Sequence, residues 1–314
     1  MSLVEEFERA EERLLACCDV VVERRFLDLE GRRTRALVAG EGPPVVLVPG
    51  GGMPAAGWAP LMARLRGFRL HALDLPGFGL ADPLPLAGDG LRSEAGRFLE
   101  ATMDALELER AGFVANSMGA LWSLWLALDR PERVACVATA GCPALIAGTS
   151  APLPMRMVSL RPLGRLLMKT QRISGEKVER SLAKIGVDVS ALPEMRDLVV
   201  ALQRLPSHDP TWTDLLHATL RLRGARPSVA LTTVELRRIV QPVQLIWGEG
   251  DPFGALAAGE MAARAIPEAE LHVTSGGHAP WIAAPDHVAE LVVPFLRRHA
   301  TGTSATTERD AGSH

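Results

Sequence analysis

Ser117 is the residue of this sequence whose surroundings are most typical of a nucleophile. An apolar segment, residues 112–115, precedes it, and a second apolar stretch, residues 120–128, follows it. This pattern predicts a buried strand, a turn of one residue and a helix, so that the serine hydroxyl projects from the end of a sheet. Such a strained turn requires small residues two positions before and after the serine, and Ala115 and Gly119 stand there.

An acid and a base that could activate this serine come later in the sequence. A serine hydroxyl is a poor nucleophile at neutral pH and needs an adjacent base. His278 follows the apolar segment 269–274, and an imidazole can take up and return a proton. Asp251 follows the apolar segment 242–247 and could hold the imidazole in the right tautomer. The three side chains together would carry out covalent nucleophilic catalysis.

The elements that must position these residues follow an alternating pattern of strands and helices. Strands are predicted at residues 20–29, 32–39, 45–48, 68–73, 112–115, 134–138, 242–247 and 269–274. Helices are predicted at residues 2–18, 55–65, 91–108, 255–265 and 285–298, and after Ser117. This alternation indicates an α/β fold with a doubly wound, mostly parallel sheet, in which sites assemble where the strands end.

The alternation stops in the middle of the chain. Residues 144–234 contain no convincing buried strand, and helices are predicted instead at residues 153–168, 175–185, 195–205 and 211–223. We therefore expect a core made of residues 1–143 and 235–300, interrupted by a helical insertion at 144–234. Residues 301–314 are small and polar, and we expect this tail to be disordered.

Composition excludes several classes of function. The 314 residues carry a net charge of −3, which argues against nucleic-acid binding. No apolar run reaches the ~18–20 residues of a membrane span, and the charged start does not resemble a signal peptide. The four cysteines lack zinc-site spacing. We expect free thiols, no cofactor or metal, a cytoplasmic location, and a monomer or homodimer that acts on a small molecule.

Several segments, taken together and in order, resemble the α/β-hydrolase superfamily from about residue 22 to about residue 299. They are Pro49-Gly50-Gly51-Gly52, Asp74-Leu75-Pro76-Gly77-Phe78-Gly79, the turn at Ser117, Gly248-Glu249-Gly250-Asp251 and Gly277-His278. The resemblance implies an eight-stranded sheet and a helical lid formed by the insertion. It also matches the family's chain order of nucleophile, acid and base.

An oxyanion hole is expected beside the serine. The backbone N–H of Met118 lies at the start of a predicted helix, whose dipole favours negative charge. The resemblance makes the N–H of Gly51 the second donor, with Gly52 as the alternative. Each such donor typically lowers the barrier by ~3 kcal/mol. Pro49 stands where many relatives have a histidine that braces this loop.

Three functions remain open. A serine nucleophile and the absence of tyrosine disfavour dehalogenases and epoxide hydrolases, and favour hydrolysis of a carboxylic ester, thioester or lactone through an acyl-enzyme. The alternative is C–C bond hydrolysis of a vinylogous diketone, because the string Asn116-Ser117-Met118-Gly119 resembles the meta-cleavage-product hydrolases. The third possibility is a ligand receptor on the same scaffold.

Two features of the C–C hydrolases can be checked in this sequence. Those enzymes carry Trp directly after the catalytic His, whereas here Ala279 follows His278. They also carry a lid arginine that grips a substrate carboxylate. The insertion supplies four candidates, namely Arg156, Arg161, Arg165 and Arg172.

The insertion also indicates the character of the substrate. Residues 153–168 are strongly apolar and rich in methionine, which suits a small to medium apolar acyl or ring substrate. The residues expected to contact substrate are Met53, Asn116, Met155 and Trp281. Six other histidines are expected to be structural or solvent-facing, namely His71, His208, His217, His272, His287 and His299.

Overall fold

A computed structural model describes residues 1–84, 90–170 and 172–300. One sheet contains eight strands, namely β1 (Glu23–Asp28), β2 (Arg33–Ala39), β3 (Pro44–Val48), β4 (Arg69–Leu73), β5 (Ala111–Ala115), β6 (Val134–Ala140), β9 (Val243–Gly248) and β10 (Ala269–Thr274). Their order across the sheet is β1-β2-β4-β3-β5-β6-β9-β10. The pairs β1/β2 and β2/β4 are antiparallel and the others are parallel, which confirms the predicted α/β sheet. The predicted disordered tail lies outside the described residues.

Helices cover both faces of this sheet. The α-helices are α1 (Leu3–Cys17), α2 (Ala59–Met62), α3 (Leu91–Ala105), α4 (Ser117–Asp129), α5 (Leu153–Val158), α6 (Arg161–Thr170), α7 (Gly175–Lys184), α8 (Pro193–Arg204), α9 (His208–Thr219), α10 (Thr233–Leu236), α11 (Leu256–Ala265), α12 (Pro280–Ala283) and α13 (Pro285–His299). None of the helices in the described ranges is long and apolar enough to cross a bilayer. All four cysteines are free thiols.

The central strands are buried on both faces, which explains their continuous apolar sequences. Along β3, Val46 and Val48 pack into one hydrophobic cluster, together with side chains of α3, α4 and α11. Val45 and Leu47 pack into the other, together with side chains of α1, α2 and α13. Because successive strand residues face opposite sides, the sheet separates two cores, and its parallel strands all end at the same edge.

The segment predicted as a helical insertion (residues 144–234, called the insertion below) contains α5 to α9, the start of α10 and a short hairpin of β7 (Leu220–Arg221) and β8 (Gly224–Ala225). The prediction of one helix over residues 153–168 is wrong, because the segment forms α5 and α6 with a break at Ser159 and Leu160. Pro162 lies in the first turn of α6, where the missing N–H of proline costs nothing.

The helix predicted at residues 55–65 is also interrupted. The chain forms a short 3-10 helix, Ala55–Trp58, and then the single turn of α2, Ala59–Met62. Pro60 lies in the first turn of α2 and cannot donate a hydrogen bond to the turn before it.

The first helix connects the insertion to the core. On one side α1 packs against α8, and ion pairs join Glu6 to Arg204 and Arg13 to Asp197. On the other side Glu11 accepts hydrogen bonds at 3.0 and 2.7 Å from the guanidinium of Arg35, which is completely buried. Charged contacts thus hold helix α1 to α8 on one side and to Arg35 of the core on the other.

The buried charge cluster also shapes the loops at the strand ends. The carboxylate of Asp74 accepts a 2.8 Å hydrogen bond from Arg35 Nε. It further accepts from the backbone N–H of Ala55 at 2.8 Å and of Leu80 at 3.0 Å. Asp74 thereby fixes the chain after β3 and the chain after β4, which is a structural role.

Candidate active site

The turn between β5 and α4 presents Ser117 in a strained conformation. Its φ of +50° lies in the left-handed region, which non-glycine residues rarely adopt. A Cβ at Gly119 would lie 2.3 Å from the carbonyl oxygen of Val48, so only glycine fits there. The predicted small residue after the serine is therefore required because the start of α4 packs directly against the end of β3.

His278 and Asp251 form a buried pair beside this turn. The Nδ1 atom of His278 lies 2.8 Å from Oδ2 of Asp251, and both side chains are almost fully buried. Because a carboxylate only accepts, Nδ1 carries the proton and Nε2 is left as the free acceptor. The backbone N–H groups of Cys142 (3.1 Å) and Phe253 (2.9 Å) also donate to Asp251. These contacts hold the acid in one orientation.

Further contacts fix the imidazole from two sides. The ring of Phe253 lies against the ring of His278, with centroids 4.1 Å apart and planes 31° apart. The side-chain amide of Asn116 donates to the backbone carbonyl of His278 at 2.9 Å and to that of Ala140 at 2.7 Å. Asn116 therefore ties the histidine loop to the residue next to Ser117.

A thiol also lies close to this pair. Burial, and then the proximity of Asp251, raise the pKa of Cys142 well above its ordinary value. The thiol is therefore protonated at neutral pH and is a poor competitor to a serine as nucleophile.

A cavity of about 690 Å³ brings the predicted residues together. Nine of the ten predicted site residues line it, and Asp251 lies behind His278. The nine are Gly51, Gly52, Met53, Asn116, Ser117, Met118, Met155, His278 and Trp281. Among the described residues, the Ser117 hydroxyl makes no hydrogen bond to His278. Hydrogen bonds between catalytic groups are often long in free enzymes and tighten only when substrate binds.

The glycine loop after β3 faces this cavity with free donors. Across the described ranges, the N–H groups of Gly51 and Gly52 have no intramolecular acceptor. A Cβ on Gly51 would lie 3.1 Å from the ring of Trp212 and 2.8 Å from the side chain of Leu215. The absence of side chains at these positions lets α9 of the insertion pack directly over the loop.

Trp281 offers only an apolar surface to the cavity. It stacks on Trp58 with ring centroids 4.3 Å apart, and its indole N–H donates to the carbonyl of Gly57 at 3.0 Å. Because its one polar atom is already bonded, Trp281 can contact a ligand only through its ring.

The insertion also touches the loop that carries His278. The backbone N–H of His278 lies 3.4 Å from the carbonyl oxygen of Ile185, to which it donates. A Cβ at Gly277 would lie 2.2 Å from the carbonyl oxygen of Gly186, so two glycines bring the backbones into direct contact. The end of α7 therefore rests on the histidine loop.

The structure separates the four candidate arginines of the insertion. Only Arg172 lines the cavity. Arg161 lies 3.5 Å from Asp214, Arg156 donates to a backbone carbonyl, and Arg165 is exposed. Within the described ranges Arg172 has no acidic partner, so its charge is available to a ligand.

Two residues of α9 line the cavity without having been predicted as site residues, namely His208 and Trp212. The expectation that His208 is structural or solvent-facing stays a prediction. The two residues lie four residues apart and so share one face of α9. That spacing is the signal in the sequence, but the face becomes a cavity wall only through the docking of the insertion.

Known proteins resemble this chain over most of its length. The sequence model of the alpha/beta hydrolase fold family matches residues 43–285. A 2-hydroxy-6-oxo-6-phenylhexa-2,4-dienoate hydrolase of Comamonas testosteroni is 30% identical, covering 83% of this chain and 90% of the relative. A second relative of a Pseudomonas species, a 2-hydroxy-6-oxononadienedioate/2-hydroxy-6-oxononatrienedioate hydrolase, is also 30% identical. The match covers 81% of this chain and 88% of that relative.

Solved structures share the fold. A carboxylesterase of Bacillus subtilis superposes with a TM-score of 0.74 at 21% identity, covering 94% of this chain and 99% of the esterase. A meta-cleavage product hydrolase of Pseudomonas fluorescens superposes with a TM-score of 0.69 at 24% identity, covering 87% of this chain and 97% of the hydrolase. The sheet, the family match and these relatives lead to one conclusion: the chain belongs to the alpha/beta hydrolase fold family and is a hydrolase.

Proposed function

We propose that this hydrolase cleaves the carbon–carbon bond next to the ketone of a carboxylate-bearing hydroxydienoate. The main support is Arg172, an exposed guanidinium with no acidic partner among the described residues, at the wall of a largely apolar cavity that also contains Ser117. An apolar interior suits a ring or alkyl group, and a guanidinium suits a carboxylate. The relatives that are 30% identical bear names of this reaction class, and that supports the same choice. The names of these relatives favour carbon–carbon bond hydrolysis over ester hydrolysis.

The proposed first step forms a covalent adduct. The Ser117 hydroxyl attacks the ketone carbon while its proton passes to Nε2 of His278. Asp251, bonded to Nδ1, stabilises the resulting imidazolium. The N–H groups of Gly51 and Met118, with Gly52 as the alternative, stabilise the oxyanion, and each is typically worth ~3 kcal/mol of barrier.

The second step breaks the carbon–carbon bond. A carbon leaving group departs only when its electron pair is delocalised, so the substrate must first adopt its 2-oxo tautomer. The electron pair then passes along the conjugated chain to the 2-oxo oxygen, and His278 gives the proton that it took from Ser117 to the released dienolate, which leaves the imidazole neutral again. Water, activated by His278, finally hydrolyses the acyl group from Ser117, so that one water is consumed in each cycle.

The helical insertion is proposed to act as a lid in this reaction. It supplies Arg172, Met155 and Trp212 to the cavity, and it covers the glycine loop. Exclusion of bulk water by such a cover strengthens every electrostatic contact inside the site.

The test is the loss of dienoate absorbance with wild type and two variants. Ser117→Ala should lower kcat on the order of 10⁶-fold and leave binding intact. Arg172→Gln should raise KM for a dienoate by about ten-fold and leave turnover of an uncharged ester unchanged. Arg165→Gln, which removes an exposed charge outside the cavity, serves as the matched control. A folded wild type that does not consume any dienoate would overturn the proposal.

Ester hydrolysis is the second candidate, because Ala279 and not a tryptophan follows His278. The same triad would cleave an ester with an alcohol as leaving group. Rapid release of p-nitrophenol followed by steady turnover, without dienoate cleavage, would support this candidate, and preference for octanoyl over short polar esters would match the apolar cavity. A burst that stalls after one equivalent would instead indicate a ligand receptor.

A further inference from the structure

His208 occupies a position in the cavity wall that the proposed chemistry does not use. It is the first residue of α9, is only 5% exposed and lines the cavity. Its ring meets the edge of Phe78 with centroids 5.9 Å apart. One turn later on the same face, Trp212 covers Gly51. His208 thus lies on the insertion side of the cavity, on the same face as the residue that covers the glycine loop.

The tautomer of His208 follows from its neighbour. Nδ1 lies 3.2 Å from Oδ1 of Asp209, a carboxylate that can only accept, so Nδ1 carries the proton. The lone pair of Nε2 is then an acceptor. Across the described ranges Nε2 has no hydrogen-bond partner in the protein, and His208 lines the cavity.

An acceptor held in this way distinguishes ligands by one feature. A hydroxyl can donate to Nε2, whereas a hydrogen or an alkyl group at the same position cannot. A buried polar atom that loses its partner has a free-energy cost, so a site built around it discriminates against the analogue that lacks the hydroxyl.

We propose that His208 is a specificity-determining residue that accepts a hydrogen bond from a substrate hydroxyl. This deepens the proposed function, on which it rests for the natural substrate, since a hydroxydienoate offers such a donor when it binds, before it passes to the 2-oxo tautomer. The recognition itself does not depend on which bond is broken, because the same hydroxyl can be presented on the acyl part of an ester.

The test therefore uses matched esters. p-Nitrophenyl hexanoate is compared with p-nitrophenyl esters of hexanoic acid that carry a hydroxyl at the second, third or sixth carbon. Wild type should prefer at least one hydroxylated ester over the parent. His208→Leu should lower kcat/KM for that ester by about ten-fold and leave the parent ester within two-fold.

Two further variants separate recognition from structure. His208→Gln, whose amide oxygen can accept, should retain most of the preference. Asp209→Asn should reduce it by a smaller factor, because an amide no longer requires a proton on Nδ1, and this variant decides the question if His208→Leu does not fold. His287→Leu, which removes an exposed histidine of α13, should change nothing.

The outcomes distinguish this inference from the proposed function. An unchanged selectivity ratio in folded His208→Leu, or a wild type with no preference for any hydroxylated ester, would overturn the inference even if dienoates are cleaved. A ratio that collapses in His208→Leu would support it even if dienoates are not cleaved, in which case only the proposed function fails.

Discussion

The two halves of the cavity wall differ in how their polar groups are used. On the sheet side, both oxygens of Asp251 and the Nδ1 atom of His278 are bonded within the protein. On the insertion side, Nε2 of His208 and the guanidinium of Arg172 have no acidic or donor partner in the part of the chain that the structure describes. The sheet side also has free groups, namely Nε2 of His278 and the N–H groups of Gly51 and Gly52, but the protein holds them in place, which suits an unchanging reaction. The free groups of the insertion suit recognition. We infer that the sheet side performs the chemistry and the insertion selects the substrate.

The largest effect should come from the fixed side. Asp251→Asn would replace an acceptor by an amide and would favour the wrong tautomer of His278. We expect kcat to fall by about 10⁴-fold with little change in KM, for dienoates and esters alike. Steady-state kinetics on one substrate of each class checks this. A loss confined to one class would contradict a general role of the sheet side.

An unpartnered group inside the core should affect stability and not selectivity. His71 of β4 is 1% exposed, and neither ring nitrogen has a hydrogen-bond partner among the described residues. Burial, with smaller effects of Arg69 and Arg25, lowers its pKa to about 4. The unfolded chain, with a histidine pKa of about 6.5, binds this proton more readily, so stability should fall as pH drops from about 6.5 to about 4, by about 3 kcal/mol in total.

Denaturant unfolding at a series of pH values measures how the free energy of unfolding changes with pH, which we call the slope. His71→Leu should remove most of it, whereas His287→Leu, at an exposed site, should leave it unchanged. Equal slopes in wild type and His71→Leu would show that His71 is not the group responsible.

The smallest effect on catalysis is expected where the insertion contacts the loop that carries His278. Gly186 has a φ of +72°, and a Cβ there would lie 2.8 Å from Cα of Gly277. Gly186→Ala should therefore displace the histidine loop and lower kcat/KM by about ten-fold, since small misplacements of catalytic groups are costly. Gly96→Ala in α3, where a Cβ meets nothing within 4 Å, is the control. Unchanged kinetics in folded Gly186→Ala would show that the insertion does not position His278.

The sheet side could be predicted from the sequence because its signals are local. Ser117, Asp251 and His278 each follow a short apolar strand, and parallel strands end at one edge, so their approach needs no knowledge of packing. Their catalytic role stays a prediction. The break near Pro162 could also have been predicted, since proline favours the first turn of a helix.

The insertion side could not be predicted in the same way. His208 and Trp212 become cavity residues only because α9 packs over Gly51, and that packing depends on contacts distant in sequence. Helix α1 likewise contacts both α8 and Arg35, which lie far apart in the chain. The double hydrogen bond of Asn116 requires the loops after β6 and β10 to meet, which no local pattern indicates.

Mass spectrometry after reaction with a fluorophosphonate would show which residue is the nucleophile, because this reagent forms a stable adduct with an activated serine. We expect one adduct per chain, on the peptide that contains Ser117, formed slowly in Asp251→Asn and at the wild-type rate in His208→Leu. An adduct at another residue, or equal rates in wild type and Asp251→Asn, would contradict the division between a reactive sheet side and a selective insertion.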